Sequence, residues 1–182
     1  MAERYEIRFS GAGGQGLITA GIILAEAASI VEGRNAVQSQ SYGPEARGGA
    51  SKSEVIISDD PIDYPKATIV DACLAMTQES ADKYASGIKD GGVLLLDSDF
   101  VKREPQGDYK IYKFPIMRTA KEEVGREIVA NVVALGAMVA LTDVISREAG
   151  EKAVLSRVPP AFIDLNKKAY NLGFEKVKAL MQ

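Results

Sequence analysis

The alternation of apolar and polar residues predicts a strand followed by a long helix at the start of the chain. Residues 5–9 alternate between polar and apolar side chains, which is typical of a strand. Residues 17–28 carry a broad apolar face at helical spacing, so we predict a helix there. A glycine-rich loop lies between the two segments, and a strand, a tight loop and a helix in this order indicate an α/β protein.

Further strands follow from short apolar or alternating runs at residues 36–40, 52–58, 68–76, 93–97 and 109–114. The connection from Gln40 to Lys52 is too short for a helical crossover. We therefore predict a mixed sheet in which the strand at 52–58 is antiparallel or lies toward an edge. Thr77 is predicted as a plain N-cap, because Ser80 is not the acidic or amide residue of a capping box, and residues 90–92 are predicted to end its helix.

From Met117 onward the pattern is helical. Residues 119–123 predict a short polar helix, and residues 131–141 predict a buried helix, because they are apolar on nearly all sides. Asn131 is interpreted as the N-cap of that helix. Two more helices are predicted at residues 148–156 and 160–181. The whole pattern predicts a single α/β domain over residues 1–182, a Rossmann-like three-layer sandwich with a mixed, mostly parallel sheet and a helical C-terminal part.

The glycine-rich loop is the first candidate for a binding site, with Gly11, Gly13, Gly14, Gln15 and Gly16 as its candidate residues. The spacing of its glycines fits the dinucleotide fingerprint in its strand–turn–helix context. Glycine lets the backbone turn sharply, and the free N–H groups of a helix N-terminus favour a phosphate or carboxylate. The acidic residue expected about 20 residues further on is missing from residues 36–40, which weakens an NAD site. Close strand–helix packing is an alternative explanation.

A second loop, residues 39–51, is small, polar and rich in glycine. Its Arg47 is followed by Gly48, so a guanidinium lies beside open backbone amides, which suits a carboxylate, a phosphate or an acidic group of a partner. Pairing of Arg47 with Glu45 is the alternative. Tyr42 can stack on an adenine or thiazolium ring, or lie in a protein interface. Asp97, after a central strand, is either a ligand contact or part of an Asx turn.

Composition excludes several classes of function. The formal net charge of -3, without a basic block, gives no support for nucleic-acid binding. The chain contains no histidine, which excludes a catalytic triad that depends on histidine. Its single cysteine, Cys73, cannot hold an iron–sulfur cluster by itself. We predict that Cys73 is buried and behaves as a small hydrophobic residue. The first residues do not resemble a signal peptide, and the apolar run at 132–142 is too short for a membrane span, so we expect a cytoplasmic protein. No acid, base and nucleophile converge at a recognisable spacing.

The two loops together resemble those of the gamma subunit of 2-oxoacid:ferredoxin oxidoreductases. The resemblance begins with the motifs at residues 11–16 and 40–51, of which the second is the more specific. Further matching segments are residues 54–58, 62–65, 97–98, 130–136 and 166–173. The resemblance covers nearly the whole chain.

The resemblance implies a subunit of a complex that decarboxylates a 2-oxoacid on thiamine diphosphate and Mg, forms an acyl-CoA, and passes electrons through iron–sulfur clusters to ferredoxin. It implies alpha, beta and ferredoxin-like subunits as partners, which hold these cofactors, and no cofactor bound by this chain alone. The resemblance suggests that the glycine loop and Arg47 contact coenzyme A. Within the broader class of 2-oxoacids, 2-oxoglutarate is the favoured substrate. The alternatives are a stand-alone nucleotide-binding protein and a purely structural subunit; an isolated chain is expected to form a homodimer.

Overall fold

One mixed sheet forms the centre of the computed structural model, which describes residues 4–43 and 49–182. The strands of these residues are β1 (Tyr5–Ala12), β2 (Asn35–Tyr42), β3 (Ala50–Ser58), β4 (Val70–Ala75), β5 (Ile88–Asp97) and β6 (Lys110–Phe114). Their order across the sheet is β2-β3-β1-β4-β5-β6. Strands β1, β4, β5 and β6 run parallel, whereas β3 is antiparallel to both of its neighbours. The predicted mixed, mostly parallel sheet is thus confirmed, although β3 lies inside the sheet and β2 is at its edge.

Most of the second half of the described chain is helical, as predicted. The helices are α1 (Leu17–Glu26), α2 (Gln78–Tyr84), α3 (Ile116–Arg118), α4 (Ala130–Thr142), α5 (Arg147–Ser156) and α6 (Ile163–Leu180). Two π-helical segments, Ala27–Val31 and Thr119–Val124, follow α1 and α3, and two short 3-10 turns, Glu127–Val129 and Pro160–Phe162, precede α4 and α6. Within the ranges that the structure describes, every helix is too short or too polar to span a membrane.

Helices cover both faces of the sheet, which gives the three layers. The larger core lies between one face and helices α1, α4 and α6, and it contains Ile7 and Phe9 of β1. A smaller apolar cluster under α2 contains Cys73 and Leu94 on the other face. Because β-strand side chains alternate between faces, the successive residues of the central strands contribute to both clusters.

Helices α4 and α6 pack against each other through glycines. A Cβ atom at Gly136 would lie 2.0 Å from the carbonyl oxygen of Tyr170, and one at Gly173 would lie 2.1 Å from that of Val133. The backbones of the two helices approach so closely that no side chain fits between them at these points.

The polar positions of β1 are also buried, on the face that α2 partly covers. The guanidinium of Arg8 pairs with the Glu54 carboxylate of β3 at 2.8 Å and donates to the Tyr84 carbonyl oxygen at 2.8 Å. The Glu6 carboxylate accepts the backbone N–H groups of Thr68 and Ile69 at 2.7 and 3.0 Å. The alternating pattern of β1 therefore corresponds to an apolar face and a polar face that are both buried, and its polar side chains do not face solvent.

Two local predictions are wrong. Thr77 and Ser80 do form a capping box, since each hydroxyl oxygen accepts the other residue's backbone N–H at 3.2 Å. The serine hydroxyl thus does what a glutamate usually does. Residues 90–92 do not end a helix: α2 ends at Tyr84, and these residues lie inside β5, where Gly91 has a φ of 77° and the register with β4 is irregular. A glycine pair can mark a bulge as well as a helix end.

The prediction that Cys73 behaves as a buried hydrophobe is confirmed by its complete burial in β4, which raises the pKa of the thiol from 9.0 to about 11. Since only the thiolate is nucleophilic, we expect the folded protein to react with iodoacetamide at pH 8 roughly 100-fold more slowly than the urea-unfolded protein. The rate of alkylation, followed by mass spectrometry, measures this. Equal rates in the two states would show that the thiol is accessible in the folded protein.

Candidate functional site

The glycine loop connects the end of β1 at Ala12 to the start of α1 at Leu17. Gly16 immediately precedes the helix with a φ of 75°, and Gly14 has a φ of 87°. Both values lie in the left-handed region that favours glycine. Gly13 and Gly14 are exposed, and a Cβ atom at Gly14 would meet no described atom within 4 Å. The loop therefore turns tightly and presents its backbone to open space.

Part of the loop is braced from within. The side-chain oxygen of Gln15 accepts the N–H group of Ala12 at 2.8 Å, and the Gln15 N–H group donates back to the Ala12 carbonyl at 3.3 Å. Gly11 leaves the space for this side chain, because a Cβ atom there would lie 2.3 Å from the Gln15 oxygen. The Gln15 side chain thus holds the shape of the loop through its oxygen.

Other N–H groups of the loop point to no acceptor among the described residues. Those of Gly14, Gly16 and Leu17 donate to none of residues 4–43 and 49–182. They stand at the positive end of the ten-residue helix α1, where the first carbonyl to receive an intrahelical bond is that of Gly16. This arrangement supplies several donors and a positive partial charge to an anion that enters from solvent.

The interpretation of Asn131 as an N-cap is wrong, and its side chain supports the glycine loop instead. Asn131 is not an N-cap, because α4 already begins at Ala130 behind a 3-10 turn. Its side-chain amide instead donates to the Gly16 carbonyl oxygen at 3.2 Å, and a Cβ atom at Gly16 would lie 2.8 Å from that amide nitrogen. The start of α4 thus holds the end of the glycine loop. A polar residue in the first turn of an otherwise apolar helix is the only sequence signal for this contact.

The end of the second loop, from Gly49 onward, lies beside the first loop. Because β1 and β3 are antiparallel, Gly11 faces Ser51 and Ala12 faces Ala50. The N–H group of Gly13 donates to the Gly49 carbonyl oxygen at 3.2 Å. Two motifs that are separated in the sequence therefore meet at the C-terminal end of β1, an inner strand of the sheet.

The other candidates of the second loop are less closely placed. Tyr42 ends β2 with an exposed side chain, as a residue of an interface or a stacking contact requires. Arg47 and Gly48 lie outside the described residues.

Asp97 has a structural role. Its buried carboxylate accepts the N–H group of Asp99 at 2.9 Å, which forms the Asx turn, and that of Met117 at 2.9 Å, next to the start of α3. Burial raises the pKa of this carboxyl, against the opposing effect of backbone hydrogen bonds from Met117, Asp99 and Phe100. Its oxygens are thus engaged within the fold.

The arrangement differs from a dinucleotide-binding unit. The strand after α1, which in that unit lies next to β1 and supplies the ribose-binding carboxylate, is here the edge strand β2, and β3 separates it from β1. No group of three or more histidine, cysteine, aspartate or glutamate residues that could hold a metal ion occurs in the part of the chain that the structure describes. The described part of the site is therefore the glycine loop with Gly49 beside it, and its open backbone N–H groups suit an anionic ligand.

Comparison with known proteins gives consistent matches over nearly the whole chain. Residues 6–176 match the family described as pyruvate ferredoxin/flavodoxin oxidoreductase. The chain is 51% identical to the 2-oxoglutarate synthase subunit KorC of Methanocaldococcus jannaschii, over 97% of this chain and 96% of that protein. It is 32% identical to the pyruvate synthase subunit PorC of Methanothermobacter thermautotrophicus, over 96% of this chain and 97% of that protein.

A solved structure agrees with the fold. The crystal structure of the keto/oxoacid ferredoxin oxidoreductase gamma subunit from Geobacter sulfurreducens PCA superposes with a TM-score of 0.91 at 68% sequence identity. The match covers 97% of this chain and 98% of that chain. The sheet order and the helical C-terminal part described above are thus those of a gamma subunit.

Proposed function

This chain belongs to the pyruvate ferredoxin/flavodoxin oxidoreductase family as a gamma-type subunit, and we propose that within an assembled 2-oxoacid:ferredoxin oxidoreductase it frames the binding site of coenzyme A. The observation that carries the proposal is the meeting of the two loops, in which the N–H group of Gly13 bonds to the Gly49 carbonyl beside the open N–H groups of Gly14 and Gly16. Coenzyme A carries a diphosphate and a further phosphate, which are the anions that such donors bind.

The chain's own residues bind and orient rather than react. The sequence has no histidine, and its single thiol, on Cys73, is buried in β4. In the proposed complex, partner alpha, beta and ferredoxin-like subunits hold the thiamine diphosphate, Mg and iron–sulfur clusters, which supply decarboxylation and electron transfer to ferredoxin. In this proposal residues of the glycine loop hold a phosphate of coenzyme A, Arg47 and Gly48 add a second anion contact, and the exposed side chain of Tyr42 adds a stacking contact.

We propose 2-oxoglutarate as the 2-oxoacid. The support is comparative: identity is 51% to a 2-oxoglutarate synthase subunit and 32% to a pyruvate synthase subunit over similar lengths. We propose further that residues 1–182 act as one gamma-type domain in the cytoplasm. The single sheet that the described residues form supports the proposal of one domain. Purification of the tagged chain from its anaerobic host, followed by assays with 2-oxoglutarate, pyruvate and branched-chain 2-oxoacids, tests partners and substrate together.

The coenzyme A contact predicts the effect of Gly14→Asp in the assembled enzyme. A carboxylate at this position repels phosphate and competes for the N–H groups, so we expect the KM for coenzyme A to rise about tenfold, which corresponds to about 1.4 kcal/mol of lost binding. The kcat at saturating coenzyme A is expected to stay unchanged. Addition of Arg47→Ala is expected to raise the KM further. Steady-state kinetics at varied coenzyme A concentration measure these effects.

Gly33→Asp is the matched control. Gly33 has a φ of 71° and, like Gly14, has no described atom within 4 Å of a Cβ position, but it lies after α1, away from the loop. Both substitutions therefore add one negative charge and place a Cβ atom on a backbone with a positive φ. An unchanged KM for coenzyme A in the Gly14→Asp enzyme, or an equal rise with Gly33→Asp, would remove the proposed contact.

A further inference from the structure

A cleft of about 540 Å³ opens between α1 and the N-terminal ends of α4 and α6. Apolar side chains from four helices line it, among them Ile23, Val132, Val154 and Leu165. Asn131, which holds Gly16, also lines the cleft, so its wall is continuous with the support of the glycine loop. A volume of this size accommodates several side chains of a bound segment.

Large apolar side chains at the rim are exposed to solvent. Ile128, on the 3-10 turn before α4, is 84% exposed, and Phe162, on the 3-10 turn before α6, is 48% exposed. Both residues line the cleft. The two side chains therefore border the cleft from two separate turns of the chain, one before α4 and one before α6. Exposed apolar groups that continue into an apolar cleft indicate a surface that a partner covers.

The charge of the rim defines the partner further. Arg126 is exposed and forms no ion pair with any residue of the described ranges, and Arg157 pairs with Glu26 at 2.5 Å. Both arginines line the cleft. A partner that fills the cleft therefore meets one uncompensated positive charge, and an acidic side chain of that partner gains the unpaired guanidinium of Arg126.

We infer that this cleft is the docking site for a segment of a partner subunit that inserts large apolar side chains and places an acidic residue at Arg126. The inference rests on the proposed role of the chain as a subunit in a complex. A second copy of this chain fits less well, because a two-fold contact through this face would bring two arginine-bearing rims together. Docking here also fixes the start of α4, and hence the Asn131 contact to Gly16, from outside.

The test compares two double variants in the complex co-expressed with a tagged partner subunit. Ile128→Ser with Phe162→Ser removes the apolar rim, and we expect the amount of this chain recovered with the partner to fall at least tenfold. Ile30→Ser with Ile69→Ser is the control, since these side chains are 77% and 61% exposed but do not line the cleft. Recovery of the control is expected to match that of the unmodified chain, and both variants are expected to unfold thermally within about 2 °C of it, as surface substitutions do.

Arg126→Glu tests the charge of the partner segment. It is expected to weaken recovery about tenfold at low salt. Added salt is expected to lower recovery of the unmodified chain and to raise that of the variant, because it screens an attraction in the first and a repulsion in the second. Unchanged recovery of the Ile128→Ser, Phe162→Ser variant would overturn the inference. So would a loss of self-association by the chain alone with partner recovery intact, because this face would then join two copies. The recovery assay does not use coenzyme A. An unchanged KM in the Gly14→Asp enzyme would therefore contradict the coenzyme A contact without affecting the result for the docking site.

Discussion

Gly136→Ala is expected to lower the melting temperature of the protein by about 8 °C. The added methyl group would lie 2.0 Å from the Tyr170 carbonyl oxygen, a backbone atom that cannot move without separating α4 from α6. Forced overpacking of this kind costs about 2–3 kcal/mol, and each kcal/mol shifts the melting temperature of a chain of this size by about 2–4 °C. Alanine is itself a better helix former than glycine, so the loss arises from the helix contact alone. Differential scanning calorimetry measures the shift.

Gly21→Ala makes the same exchange in a helix, with a different neighbour. Its added methyl group would lie 2.1 Å from the Ser53 hydroxyl oxygen, a side-chain atom that can move by rotation at the cost of the hydrogen bond that it accepts from the Gln38 amide at 2.9 Å. The gain in helix propensity, about 1 kcal/mol, offsets most of the cost, and the melting temperature is expected to change by no more than about 3 °C. Equal losses for the two variants would show that the close backbone approach of α4 and α6 is not what makes Gly136 necessary.

The sequence predicts the elements of this fold better than their contacts. Apart from Asn131, residues 131–141 are apolar, and they lie in helix α4, which is buried because it has no polar face that water could solvate. The short connection between β2 and β3 correctly predicts an antiparallel pair. Such rules work because each of them depends on the local chain alone.

Contacts between distant segments escape these rules. Asn131 looks like a cap because polar residues favour helix starts, and only the fold shows that Gly16, 115 residues away, receives its hydrogen bond. For the same reason a local pattern cannot show that Gly49 lies beside Gly13. The cleft bordered by Ile128 and Phe162 combines four helices, and nothing in their separate patterns predicts it. The sequence identifies the two loops of the candidate site, but it does not predict the contacts from Asn131 and Gly49 that hold the glycine loop in place.

Glu54→Ala is expected to lower the free energy of unfolding by about 3 kcal/mol, because it leaves a buried charge without its partner. The side chains of Arg8 and Glu54 are only 11% and 7% exposed, and their 2.8 Å ion pair lies in the sheet under α2. In the variant the Arg8 guanidinium keeps its bond to the Tyr84 carbonyl oxygen but no carboxylate. Lys52, the other partner of Glu54, is more exposed and can turn to solvent. Chemical denaturation of the purified protein measures the loss.

Two further variants separate the pair itself from general disturbance of the sheet. Asp82→Ala breaks the Arg103–Asp82 pair, whose side chains are 75% and 46% exposed, and is expected to cost less than about 1 kcal/mol because water replaces the partner. Arg8→Met combined with Glu54→Leu removes both buried charges and is expected to regain most of the stability that Glu54→Ala loses. Recovery in the double variant would assign the loss to the uncompensated guanidinium. A double variant less stable than Glu54→Ala would contradict that account, because the ion pair would then contribute net stability that apolar packing cannot replace.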